Sequence, residues 1–143
     1  YRLVRRKLEA EIAPALRGRL EGETDSERCF FIILSQLARR GALDGAPLKS
    51  VLAALKGAMA TVRRIADPGA KKPSSLNFLL TDGTRLFATR SGRTLFVSAP
   101  KAGERKRFMI ASERVLGTDG WREVPDGTLL AVDESFRVTH QKL

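Results

Sequence analysis

An α+β fold is predicted for this chain, because the spacing of its apolar residues changes once along the sequence. In residues 1–69 apolar side chains recur about every 3.6 residues, which is typical of helices that bury one face. In residues 74–140 they alternate about every two residues, and turn dipeptides separate the apolar segments. Helices followed by antiparallel strands predict one domain, or a part of one, with helices stacked on one face of a meander sheet.

The first and third predicted helices flank a more apolar one. The first covers Arg2–Leu16, although Pro14 weakens its last turn because proline cannot donate to the helix ladder. Pro47 is the predicted first residue of the third helix, since proline suits that position. Asp67-Pro68-Gly69 ends it.

The second predicted helix has the clearest start. Thr24 can cap it, and Glu27 stands at the reciprocal position of a Thr-x-x-Glu capping box. The helix stops before Gly41. Because it is apolar nearly all round, we expect it to be buried between layers.

Strands are predicted wherever the two-residue alternation holds: Leu76–Leu80, Arg85–Thr89, Thr94–Ser98, Arg107–Ala111, Trp121–Val124, Thr128–Val132 and Phe136–His140. Three dipeptides between them, Asp82-Gly83, Ser91-Gly92 and Asp126-Gly127, are typical of hairpin turns.

The formal net charge of +10 raises the possibility of a nucleic-acid partner. The basic residues are scattered in pairs, such as Arg39-Arg40 and Arg63-Arg64, and aromatic stacking residues are few. This distribution favours a solvated surface over a nucleic-acid groove. No apolar run approaches the roughly 18 residues of a membrane span, so no membrane partner is expected.

Nucleophiles and metal ligands are scarce. His140 is the only histidine and Cys29 the only cysteine, so we expect no metal site, no cofactor and no intrachain disulfide. A lone reduced cysteine fits a cytoplasmic protein. Apolar residues follow Cys29 directly, which favours a core position over a reactive thiol.

Asp25 is the candidate binding residue. It lies in the first turn of the second helix, where the helix dipole stabilises a carboxylate anion. Such an anion can receive an ammonium group from a small ligand. An aspartate in a first turn is also common without any ligand, and the spacing alone favours that interpretation.

An ordered set of segments resembles the class II glutamine amidotransferases from about Leu8 to Asp133. The segments are Gly22-Glu23-Thr24-Asp25-Ser26-Glu27 before an apolar helix, Leu76–Gly83 with Leu86–Arg90, Ile110–Glu113, and Trp121–Gly127. Within the family the sequence is most similar to the branch of the ergothioneine-pathway γ-glutamyl hydrolase and the glutathione-degrading amidotransferase subunit.

The resemblance implies a partial αββα fold of the N-terminal-nucleophile hydrolases and chemistry on the amide of glutamine or a γ-glutamyl compound. In that family an amino-terminal cysteine attacks the amide, an Asn-Gly pair supplies the oxyanion site, and an arginine holds the substrate carboxylate. All of these residues would precede Tyr1. Only Asp25 carries over, at the position that holds the substrate α-ammonium. Cys29 does not replace the nucleophile, because an internal cysteine has no free α-amine.

We therefore expect the carboxy-terminal half of such an enzyme, inactive alone and associated with the missing amino-terminal half or with a second copy. Tyr1 has no methionine before it, which fits a chain that begins partway through a longer product. A non-catalytic binding or regulatory subunit with the same fold is the alternative. A basic nucleic-acid-binding domain ranks last.

Overall fold

Helices occupy the chain up to Ser74, and strands occupy it from Ser75 onward, in two separate units. The structure is a computed structural model that describes residues 2–99, 107–115 and 120–143. The α+β class predicted from the apolar spacing is confirmed.

The helical unit contains α1 Arg2–Glu11, α2 Pro14–Arg17, α3 Asp25–Ala38 and α4 Leu48–Ala66. Helices α3 and α4 pack along each other, and α1 packs against both. Their apolar faces form the core, with Ile32 and Leu55 fully buried. Pro47 is the residue before α4 rather than its first residue.

The single helix predicted over Arg2–Leu16 is wrong, because the chain leaves helical geometry after Glu11. Pro14 begins the short helix α2 instead of weakening a longer one. The backbone N–H of Ala13, left without a helical partner, donates to Oγ of Ser35 at 2.8 Å. Ser35 is fully buried in α3, so this hydrogen bond fixes the break against the helical core.

The strands are β1 Phe78–Thr81, β2 Leu86–Arg90, β3 Phe96–Ser98, β4 Met109–Ala111, β5 Trp121–Glu123, β6 Thr128–Val132 and β7 Val138–Lys142. All pairs are antiparallel. They form a four-stranded sheet in the order β1-β2-β6-β7 and a three-stranded sheet in the order β4-β3-β5.

The prediction of one meander sheet is therefore wrong. Strand β2 pairs with β6, with Ala88 opposite Leu130, and not with its neighbour β3. Ser91-Gly92 and Asp126-Gly127 consequently lie where the chain passes between sheets. Asp82-Gly83 does join a hairpin, in which Asp82 Oδ1 accepts from the backbone N–H groups of Thr84 and Arg85 at 3.1 and 2.8 Å.

The last strand begins two residues later than Phe136, where the sequence pattern places its start. Phe136 has a φ of 62°, a left-handed conformation that a strand cannot contain. Asp133 holds this turn, since its Oδ1 accepts from the backbone N–H groups of Ser135 and Arg137, both at 2.9 Å.

Side chains from both sheets pack into one core within the strand unit, including Ala88, Val97 and Leu130. Leu130 is completely buried opposite β2. Within the described residues, no helix combines the length and the apolar character that crossing a bilayer requires.

Candidate functional site

Asp25 is the first residue of α3, and its side chain is exposed to solvent. Thr24 precedes it as the N-cap in an extended conformation. In the part of the chain that the structure describes, no hydrogen bond or ion pair engages the Asp25 carboxylate. The Asp25 carboxylate is therefore an anion at the positive end of a 14-residue helix, where a cationic group can reach it.

Glu27 fixes the loop before Asp25, but by a different hydrogen bond from the one the capping box predicts. Thr24 Oγ1 accepts from the Glu27 backbone N–H at 3.3 Å, as expected. The Glu27 carboxylate, however, accepts from the backbone N–H groups of Glu21 and Gly22, both at 2.9 Å. These hydrogen bonds hold the pKa of Glu27 below its usual value. The reciprocal half of the predicted box is wrong, because Glu27 reaches farther back along the loop.

Gly22 leaves room for the Glu27 carboxylate in this arrangement. A Cβ atom at Gly22 would lie 2.9 Å from Oε2 of Glu27, closer than real side chains approach. A larger residue would push the carboxylate away from the loop that it holds.

Arg28 is a second important residue of this region, and the sequence patterns did not identify it. Only 2% of its surface is exposed. Its Nη1 donates to the carbonyl oxygens of Gly22 and Thr24 at 3.1 and 2.8 Å. Its Nε and Nη2 lie 2.9 and 2.8 Å from Oε1 of Glu9 in α1. An arginine directly before the apolar run of a buried helix is the sequence signal that could have identified it.

Arg5 extends this network to the tip of the loop. Its Nε donates to Glu9 at 3.0 Å, and its Nη1 donates to Glu23 at 2.9 Å. The side-chain hydrogen bonds from Arg5, and then those from Arg28, lower the pKa of Glu9. Helix α1, the loop Glu21–Thr24 and the start of α3 are thus connected by paired charges.

Cys29 is a buried core residue, as the sequence predicts. Burial, and then the nearby charge of Asp25, raises the pKa of the Cys29 thiol from 9.0 to about 11. Because the thiolate is the nucleophile, this environment suppresses its reactivity at neutral pH.

We expect the Cys29 thiolate absorbance to titrate near pH 11 in the folded protein. Chemical modification of the Cys29 thiol at pH 8 should be about 100-fold slower in the folded protein than in urea, because a difference of two pKa units changes the thiolate fraction about 100-fold. The neutral thiol is the form that folding favours. Its contribution to stability is therefore full below pH 9.0 and is lost as the pH rises through about 11. Thiolate absorbance can be compared with that of Cys29→Ala. A native pKa below 9.0 would contradict the assignment.

The strand unit has a cleft of about 190 Å³ with a mixed lining that includes Phe108, Arg122 and His140. His140 lies on β7 and is exposed. Among the described residues, no group of three or more histidine, cysteine or acidic side chains is placed to hold a metal ion.

Similarity to known proteins was found at the level of family and of structure. The sequence model of the family described as class II glutamine amidotransferases matches residues 7–102. No curated protein shows significant similarity. A glutamine aminotransferase class-II domain protein from Silicibacter pomeroyi is similar with a TM-score of 0.78 and 21% identity, over 99% of this chain and 62% of that one. A predicted glutamine amidotransferase from Pseudomonas aeruginosa is similar with a TM-score of 0.58 and 22% identity, over 82% of this chain and 50% of that one.

At such identities the structural likeness concerns the fold, and this chain spans 62% of the first protein and 50% of the second, less than two thirds of either. The family match, by contrast, covers most of the sequence and includes Asp25 with the network of Arg28 and Glu27 around it. This chain belongs to the class II glutamine amidotransferases.

Proposed function

We propose that this chain is the carboxy-terminal part of an enzyme that hydrolyses the side-chain amide of glutamine or of a γ-glutamyl compound, and that Asp25 binds the substrate α-ammonium. One observation carries this proposal. Asp25 is an exposed carboxylate, without a described partner, on the first turn of a helix inside the family-matched segment.

An aspartate in this position orients its ligand by charge. The carboxylate accepts hydrogen bonds from the α-ammonium, and the bound end of the substrate then fixes where the γ-carbonyl lies. Charge-assisted hydrogen bonds of this kind are stronger than neutral ones and more directional than a distant ion pair. Asp25 thus contributes to binding and positioning, and the proposal gives it no part in bond cleavage.

In this proposal the nucleophile comes from chain that precedes these residues in the whole protein. An amino-terminal cysteine attacks the amide carbon and its own α-amine takes the thiol proton and passes it to the leaving nitrogen, which departs as ammonia from glutamine or as the free amine from a γ-glutamyl compound. Water then hydrolyses the γ-glutamyl thioester. This is the chemistry of an N-terminal-nucleophile hydrolase. Cys29 is unsuited to that part, because its thiol is buried, its pKa is raised to about 11, and it has no free α-amine.

The natural substrate is proposed from the resemblance in sequence. The Leu76–Gly83 segment and Trp121 before Val124-Pro125 resemble the γ-glutamyl branch of the family, so the candidate substrates are glutamine and a γ-glutamyl thiol compound. We further propose a cytoplasmic protein in which the helical and strand units associate with the amino-terminal half of the same domain, or with a second copy of the chain.

Substrate analogues test this function directly. The full-length protein is incubated with glutamine, γ-glutamylcysteine, glutathione and glutaramate, which is glutamine without its α-ammonium, and released glutamate, glutarate or ammonia is measured. We expect turnover of at least one α-ammonium substrate and none of glutaramate, because only the former can pair with Asp25. The isolated 143-residue chain is the control and is expected to be inactive.

Two results would contradict the proposal. Turnover of glutaramate as fast as that of the best α-ammonium substrate would exclude an α-ammonium site at Asp25. Binding of a γ-glutamyl compound by calorimetry, without any hydrolysis by the full-length protein, would instead support a non-catalytic binding or regulatory subunit.

A further inference from the structure

We propose that Arg28 is a positioning residue that sets substrate affinity by holding the peptide unit from which Asp25 projects. The inference rests on the proposed function, since it assigns Arg28 a role that acts through Asp25. It does not place Arg28 in contact with substrate, because its guanidinium is buried and its donors are directed to protein oxygens.

The Thr24 carbonyl is the important contact. This oxygen belongs to the same planar peptide unit as the backbone nitrogen of Asp25. Arg28 Nη1 donates to it at 2.8 Å, so the guanidinium fixes the orientation of the peptide plane that leads into Asp25. The second hydrogen bond of Nη1, to the Gly22 carbonyl at 3.1 Å, fixes the loop on the other side of Glu23.

Glu27, the neighbour of Arg28 on α3, holds the same loop by different hydrogen bonds. Its carboxylate binds the backbone N–H groups of Glu21 and Gly22, whereas Arg28 binds carbonyl oxygens. Two adjacent side chains of α3 therefore satisfy both donors and acceptors of the loop that leads to their own helix.

Glu9 holds the guanidinium in place from a different helix. Its Oε1 lies within 2.9 Å of both Nε and Nη2 of Arg28, which leaves Nη1 directed toward the loop. Arginine can make these contacts at the same time because its guanidinium carries several N–H donors fixed in one plane, whereas lysine carries a single ammonium group. Lysine at position 28 would keep the charge and lose the simultaneous contacts to Glu9 and the two carbonyls.

A double-mutant cycle in the full-length protein tests the inference. We expect Arg28→Lys to raise KM for the α-ammonium substrate by about 5- to 100-fold with kcat changed less than about threefold, because small displacements of a positioning group weaken binding on that scale. In the Asp25→Ala background the same substitution is expected to change KM by less than about twofold, because residues that act through one another are not additive.

Glu27→Gln provides a second route to the same readout if Arg28→Lys does not fold, since its amide would direct N–H groups at the loop N–H of Gly22. Like Arg28→Lys, Glu27→Gln is expected to raise KM when Asp25 is present and to change KM by less than about twofold in the Asp25→Ala background. Arg17→Lys is the matched control, because Arg17 also donates to two backbone carbonyls, of Ile12 and Ala10, both at 2.9 Å, but outside the loop. We expect no change in KM from it.

The outcomes separate this inference from the proposed function. If Asp25→Ala raises KM but Arg28→Lys and Glu27→Gln do not, the positioning role of Arg28 is overturned and the proposed function stands. The same conclusion follows if Arg28→Lys and Glu27→Gln raise KM as much in the Asp25→Ala background as in the wild-type protein. If Asp25→Ala itself leaves KM unchanged, the substrate assignment of Asp25 fails, and the role of Arg28 fails with it.

Discussion

Replacement of Asp25 by alanine in the full-length protein is expected to raise KM for its α-ammonium substrate by roughly 10- to 150-fold, because a hydrogen bond to a charged group contributes about 1.5–3 kcal/mol and about 1.4 kcal/mol corresponds to tenfold. The carboxylate is exposed and without a described partner, so its removal leaves no buried charge behind. The change should therefore appear mainly in binding, with at most about 1 kcal/mol lost from the free energy of unfolding through the helix dipole.

Steady-state kinetics with two further variants make this prediction specific. Asp25→Asn keeps the shape and removes the charge, and it should recover only a small part of the lost affinity. Ser26→Ala alters the next exposed residue of the same helical turn and should leave KM unchanged. An unchanged KM for Asp25→Ala with glutamine and with γ-glutamyl substrates would exclude Asp25 as the ammonium-binding residue.

Arg28→Met is expected to lower the free energy of unfolding by about 2 kcal/mol, because the buried guanidinium makes several charge-assisted hydrogen bonds, whereas the carboxylate of Glu9, 31% exposed, can be hydrated when Arg28 is lost. The carbonyl oxygens of Gly22 and Thr24 lose this donor, and among the described residues Arg5 is the arginine that still contacts Glu9. Urea denaturation followed by helical circular dichroism measures this, because the affected residues all lie in the helical unit.

The second substitution Glu9→Met in the same chain should recover part of that loss. Buried ion pairs are costly to desolvate, so an apolar pair of similar volume is often tolerated where a broken pair is not. Arg39→Met is the control, since Arg39 is exposed and donates only to the Glu11 carbonyl in the described residues. Simple addition of the two single effects, or a loss below about 1 kcal/mol for Arg28→Met, would contradict a stabilising pair between Arg28 and Glu9.

The candidate site was predicted only in part, and the reason lies in the range of its interactions. Thr24 and Asp25 were identified because capping is a local property, read within one helical turn. Arg28 was not, since its partners are an α1 carboxylate and loop carbonyls that only packing brings to it. Glu27 was assigned a partner within its own turn, whereas the folded loop offers it two N–H groups farther back.

The amino-acid sequence by itself determined the α+β class, the start of α3, the approximate extent of α4, and the segments that become strands. Caps, prolines and apolar spacing act over a few residues, so they operate before any tertiary contact exists. Tertiary structure alone decided that β2 pairs with β6, that the strands divide between two sheets, and that Arg28 is buried. A turn dipeptide specifies only its own backbone angles, and the choice of strand partner and the burial of a charge depend on which surfaces meet when distant segments pack.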